Sequence, residues 1–186
     1  MPIESILEVE GVAYKNHKEV AIRKPIILPD NIISLQVRIL NITNGLDIGN
    51  DFYALKLPPY LKVLNLDSGF NQVLDCSLFP SSLESLDLND EFNKTLENLQ
   101  SDAALSYPPM SVLPGNLLHL SFGYKFNNPI DNLPHNLVTL KLTCYNQPIT
   151  SLPLSLKELR IRKASYLDSK PYLDQKEREG LKVITH

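Results

Sequence analysis

LPGNLLHLSFGYKFNNPI, residues 113–130, decides how the chain folds. A Leu-Pro pair opens it, a strand-like run alternating Leu120 and Phe122 with His119 and Ser121 follows, and Phe126-Asn127 leads into the next apolar residue, Ile130. Alternation of this kind puts successive side chains on opposite faces of a β-strand. Five further segments share the opening ten positions: LPDNIISLQV (28–37), LPPYLKVLNL (57–66), FPSSLESLDL (79–88), LPHNLVTLKL (133–142) and LPLSLKELRI (152–161). Their starts are separated by 29, 22, 34, 20 and 19 positions. Repeats of roughly 20–29 residues with a Leu-x-x-Leu-x-Leu core are the pattern of a leucine-rich-repeat solenoid.

The physical reading follows. Proline fixes φ and brings no N–H, so it belongs at the corner entering each strand. The paired apolar residues, such as Leu64/Leu66 and Leu140/Leu142, point inward and stack from turn to turn. Single repeats cannot bury such a face; an array can. A second motif follows four of the strands: Phe70-Asn71, Phe92-Asn93, Phe126-Asn127 and Tyr145-Asn146, each with an apolar residue four positions after the aromatic (Leu74, Leu96, Ile130, Ile149). The aromatic fills the core where the chain turns away, and the amide satisfies backbone groups of the turn, so a buried asparagine ladder is expected.

LPxxLxxLxL followed by Phe-Asn-x-Pro-Ile resembles the FNIP repeat, a leucine-rich-repeat relative known from amoebae and from the giant DNA viruses that infect them. The resemblance covers about 26–162, is closest at 113–130 and 133–149, and weakens at 28–50, where no Phe-Asn pair follows the strand. It implies an interaction scaffold, a viral or amoebal source, a host protein as partner and the (host) cytoplasm as location. Some members carry an F-box, which implies a substrate receptor or adaptor of a ubiquitin ligase. The 25 residues before the repeats are strand-like and do not match that helical module.

The expected fold is thus an α/β leucine-rich-repeat-like solenoid with a curved parallel sheet on the concave side and a mostly irregular convex side. All of it forms one domain. Residues 1–25, with alternation at 5–14 and 19–23 around the polar Lys15–Lys18, read as an N-terminal β-hairpin cap over the first open edge. Residues 26–162 hold six units, with an insertion at about 97–112 that carries a short helical segment near 102–105. Residues 163–186 read as a C-terminal helix-strand cap, with Ser169 and Pro171 opening the helix, Gly180 ending it and 181–184 as the last strand.

Composition excludes several functions. The net charge of -3 lacks the basic excess of a nucleic-acid binder. No apolar run reaches the ~18 residues of a membrane span, and the start MPIESILEVEG lacks a basic region of the kind that opens a signal peptide. Cys76 and Cys144 have no metal-like spacing and read as reduced thiols. The histidines are scattered, no glycine-rich phosphate loop occurs, and neither a metal nor a cofactor is expected.

Function is therefore expected on the residues between the leucines, which face the concave side. Gln36, Asn65, Asp87, Ser121, Lys141 and Arg160 form the middle column, and Arg38, Asp67, Asn89, Gly123, Thr143 and Arg162 run beside it. On the other flank lie Ser34, Val63, Ser85, His119, Thr139 and Glu158. Asp67, Asp87, Asp90 and Glu91 make the middle acidic; Lys141, Arg160, Arg162 and Lys163 make the C-terminal third basic. This face is expected to bind an unidentified protein, with the 97–112 insertion as a second candidate and self-association through a solenoid end as another. Asp87, His119 and Ser121 also raise the possibility of a hydrolase, but an open sheet offers neither an oxyanion hole nor a nucleophile elbow. The chain is expected not to be an enzyme.

Overall fold

The computed structural model describes residues 3–10, 26–27, 30, 32–40, 55–66, 70–71, 73–74, 77, 79–96 and 112–186. Eight parallel strands form one sheet in the order β1 (Ile3–Glu10), β3 (Ile32–Leu40), β5 (Val63–Leu66), β6 (Ser85–Leu88), β7 (His119–Phe122), β8 (Thr139–Leu142), β9 (Glu158–Ile161) and β10 (Lys182–Thr185). Two short strands, β2 (Ile26–Ile27) and β4 (Leu55–Lys56), pair parallel in a separate sheet. This is the curved parallel array of a leucine-rich-repeat-like solenoid.

The repeat pattern dictates the register. Leu35, Leu64, Leu86, Leu120, Leu140 and Leu159 stand in one row across neighbouring strands. All are at most 2% exposed. Each Leu-Pro-x-x-Leu opening is a β-turn: the N–H of Leu61, Leu83, Leu117, Leu137 and Leu156 donates to the carbonyl of Pro58, Pro80, Pro114, Pro134 and Pro153 at 3.0–3.2 Å. Proline at the first turn position needs no N–H there, so its missing donor costs nothing.

A column of aromatics backs the leucines. Phe70, Phe92, Phe126 and Tyr145 stack in succession with ring centroids 6.0, 6.0 and 6.2 Å apart. Phe122 lies against Phe126 at 3.8 Å. Outside this column runs the asparagine ladder: Asn71, Asn93 and Asn127 each accept, on Oδ1, the backbone N–H of the next asparagine (Asn93, Asn127 and Asn146) at 2.9, 3.1 and 2.8 Å. The ladder was expected to be buried. It lies at the surface, because the aromatic occupies the inside of the corner and leaves the amide only the outside.

At the N-terminal end β1 pairs parallel with β3 and covers that edge of the repeats. Residues 19–23, the second arm of the expected hairpin, lie outside the described residues, as do 41–54, Cys76 and the 97–111 part of the insertion. At the C-terminal end the cap contains two helices, α1 (Lys163–Asp168) and α2 (Lys170–Arg178), then β10, which pairs with β9. The spacing predicts α2 and its stop at Gly180, whose φ is 104°. Nothing in the sequence announces α1, which starts at Arg162 without a side-chain cap. Ser169 does not cap α2 through its hydroxyl either. That hydroxyl accepts the N–H of Ile149 at 2.8 Å, and Ser165 Oγ donates to the carbonyl of Tyr145. The two buried serines thus occupy the place that a further repeat would take against Tyr145–Ile149, and α2 buries Leu173 in the core.

Candidate partner-binding face

The face opposite the leucines is built from three rows. The first runs Val63, Ser85, His119, Thr139, Glu158 and Lys182; the second runs Asn65, Asp87, Ser121, Lys141, Arg160 and Ile184. The third begins just past the strands with Asn89, Gly123, Thr143 and Arg162. The structure brings Asn65, Asp87, Ser121, Lys141 and Arg160 together as the sequence predicts. Gln36 is paired in register with Asn65, and Arg38 belongs to the same strand. Asp67 lies outside the described residues.

The face is not featureless. One open depression of about 320 Å³ lies over Asp87, His119, Ser121 and Lys141, with Asn65 and Arg160 at its ends. A second, of about 410 Å³, lies over Gly123 between Asp87, Asp90 and Glu91 on one side and Lys141 and Thr143 on the other. Gly123 is one of the residues lining this second hollow. Its N–H donates to the Asn89 carbonyl at 3.0 Å. A Cβ there would meet Asn89 O at 2.3 Å.

Asn89 lines the same hollow and also holds the turn. It sits at φ 27°, in the left-handed region that asparagine tolerates better than most residues. Its amide donates to the Leu66 carbonyl and its Oδ1 accepts the N–H of Glu91 at 2.6 Å. Asp87 Oδ1 accepts the N–H of Asn89 at 3.2 Å.

Electrostatics divide the face. Burial pushes the Asp87 carboxyl above its ordinary range, against the Asn89 N–H, the Lys141 charge and the Ser121 hydroxyl, which favour the carboxylate. Arg160 Nε donates to Glu158 at 2.7 Å and holds that carboxyl below its ordinary range. Glu91 pairs with Lys125. Arg162 reaches Cys144 Sγ at 3.7 Å. Cys144 is a free thiol, half-buried at the margin of this face.

His119 and Ser121 have separate partners. His119 Nδ1 bonds Thr139 Oγ1 at 2.8 Å, on the neighbouring strand, and Ser121 interacts with Asp87. Among the described residues no group of three or more His, Cys, Asp or Glu side chains could hold a metal ion.

The FNIP repeat model matches residues 54–91 and 110–145. The chain carries FNIP repeats over these two segments. One solved structure similar to it is that of CroV588, described as a novel circular LRR protein, at 27% identity and a TM-score of 0.46. That similarity covers 72% of this chain, which spans 21% of the other. No curated protein matches. Among the described residues no helix is long and apolar enough to cross a membrane.

Within the FNIP repeats a second ladder escaped the sequence reading. In four of the Pro-x-x-Leu turns the last central residue reaches back to the preceding repeat. Ser82 Oγ bonds the carbonyls of Pro59 and Leu61, and Ser155 Oγ those of His135 and Leu137, at 2.6–2.9 Å. Asn116 and Asn136 donate to the carbonyls of Ser81 and Gly115 at 2.8 and 3.1 Å. The signal was available: Ser82, Asn116, Asn136 and Ser155 occupy one slot of the repeat, where short polar side chains recur.

Proposed function

We propose that this FNIP-repeat protein is a non-catalytic scaffold that binds a protein partner through the concave strand face. The observation that supports this is the division of labour within each strand. The buried positions are held almost invariant in type by the stack, whereas the intervening ones differ from repeat to repeat (Asn65, Asp87, Ser121, Lys141, Arg160) and share one open face. Nothing in the fold requires that particular order of charges, and a graded polar surface selects and steers a complementary partner. The separate engagements of His119 with Thr139 and Ser121 with Asp87 weigh against hydrolysis.

The test is affinity capture from a lysate of the source cell, with the wild-type chain and with the Lys141→Ala/Arg160→Ala/Arg162→Ala variant side by side. One protein enriched by the wild type and depleted with the variant supports the reading. Equal capture by both removes it.

A further inference from the structure

The order of charges on the concave face narrows the kind of partner. The second row runs from Asp87 through the small Ser121 to Lys141 and Arg160. The third runs the same way, from the Asn89–Glu91 turn through Gly123 and Thr143 to Arg162. Opposite charges are therefore separated across the strands, not along them. Between them the floor drops into the hollow above Gly123.

We propose that this face takes an extended peptide running across the strands, with a basic side chain over Asp87 and an acidic side chain four residues away over Arg160. The proposal rests on the concave-face reading above and adds the chemistry and direction of the ligand. Strands are spaced about 4.8 Å apart, so the three steps from Asp87 to Arg160 span about 14 Å. An extended chain rises about 3.3 Å per residue, and residues i, i+2 and i+4 point to one side. Residues i and i+4 then lie about 13 Å apart, which matches the two charged ends. In a helix the same four residues span only about 6 Å and do not bridge them.

Residue i+2 arrives midway, between β7 and β8. There the 410 Å³ hollow, lined by Ser121, Gly123, Lys141 and Thr143, is open to a guest side chain. The intramolecular pairs Glu91–Lys125 and Arg160–Glu158 are solvent-exposed. Exposed pairs of this kind are weak and exchange readily for others. Complementarity of both ends disfavours uniformly charged ligands. A polyanion meets Asp87, Asp90 and Glu91, and a polycation meets Lys141, Arg160 and Arg162.

The experiment titrates three blocked heptapeptides into the full isotope-labelled chain and follows backbone amide resonances. The first is Gly-Arg-Gly-Leu-Gly-Glu-Gly. The second, Gly-Gly-Arg-Leu-Glu-Gly-Gly, brings the charges two residues apart. The third, Gly-Arg-Gly-Leu-Gly-Arg-Gly, has only positive ones. The first peptide shifts the amides of Ser121, Gly123 and Lys141 and binds about fivefold more tightly than either other, the worth of one surface ion pair. Its shifts vanish near 1 M salt, where the screening length falls to about 3 Å. Absence of shifts, three indistinguishable peptides, or binding insensitive to salt overturns the proposal. If the triple alanine variant still loses its protein partner in that case, the concave face remains the site and only the dipolar peptide is lost. A variant that keeps its partner removes both readings.

Discussion

The backbone N–H of Gly123 donates to the carbonyl of Asn89 at 3.0 Å, and no Cβ fits between them. Two consecutive turns are pressed together at this point, beside the hollow in the concave face. Gly123→Ala forces the Asn89–Asp90 backbone to move, since the nearest obstacle is main chain and not a flexible side chain. A loss of about 3 kcal/mol or more is expected in urea unfolding, at the upper end of overpacking costs. Gly115→Ala is the control. Nothing lies within 4 Å of its would-be Cβ, and no comparable loss is expected there.

Removing the capping serines exposes how the array is ended. Ser169→Ala leaves the buried N–H of Ile149 without its acceptor, and Ser165→Ala leaves the Tyr145 carbonyl without its donor. Each is expected to cost about 1–3 kcal/mol. Hydrogen exchange should rise first at Tyr145–Ile149, with the N-terminal repeats unaffected, since each repeat of a solenoid contacts only its neighbours.

The two halves of the Phe-Asn corner differ in weight. Phe92→Ala removes a ring stacked on Phe70, Phe122 and Phe126 and is expected to cost about 3–5 kcal/mol. Asn93→Ala removes a surface acceptor from the N–H of Asn127, which water can replace, and is expected to cost about 1 kcal/mol. Paired denaturation midpoints of the two variants check the ranking.

Asp87 gives a pH dependence. Its carboxyl titrates above the ordinary range in the folded chain. Between the ordinary and the raised pKa the folded state binds more protons than the unfolded one, so this group's contribution to stability falls as pH rises through that window. Asp87→Asn keeps an acceptor for the Asn89 N–H and removes the charge. The variant is expected to be more stable than wild type at neutral pH and to lose that advantage below the ordinary carboxylate range. An unfolding series across acidic pH reads the difference.

Much of this fold is legible because the repeat imposes one physical problem six times. Leucines at alternate positions must be buried, and only stacked parallel strands bury them. The concave columns followed at once from the pleat, and the structure aligns Asn65, Asp87, Ser121, Lys141 and Arg160 as expected. What failed to show depends on geometry between repeats. Gly123 reads as a dispersed glycine until the Asn89 turn is seen beside it. The outward position of the asparagine ladder depends on which side the aromatic takes. Helix α1 has neither cap nor acidic first turn, so its sequence carries no start signal. Asn89 lies in a concave slot as its position predicts, but its left-handed φ and its bond to Leu66, which also tie it to the turn, do not show in the sequence.

The central claim is that binding belongs to the concave rows and not to the exposed apolar residues elsewhere. Tyr60 and Leu154, 67% and 89% exposed, sit on the Pro-x-x-Leu turns at the lateral edge and provide the comparison. The deciding measurement is the affinity of the captured partner for two variants of unchanged stability, Lys141→Ala/Arg160→Ala/Arg162→Ala and Tyr60→Ser/Leu154→Ser. The account predicts a loss of about tenfold or more in the first, equivalent to ~1.4 kcal/mol, and wild-type affinity in the second. The opposite pattern would contradict it.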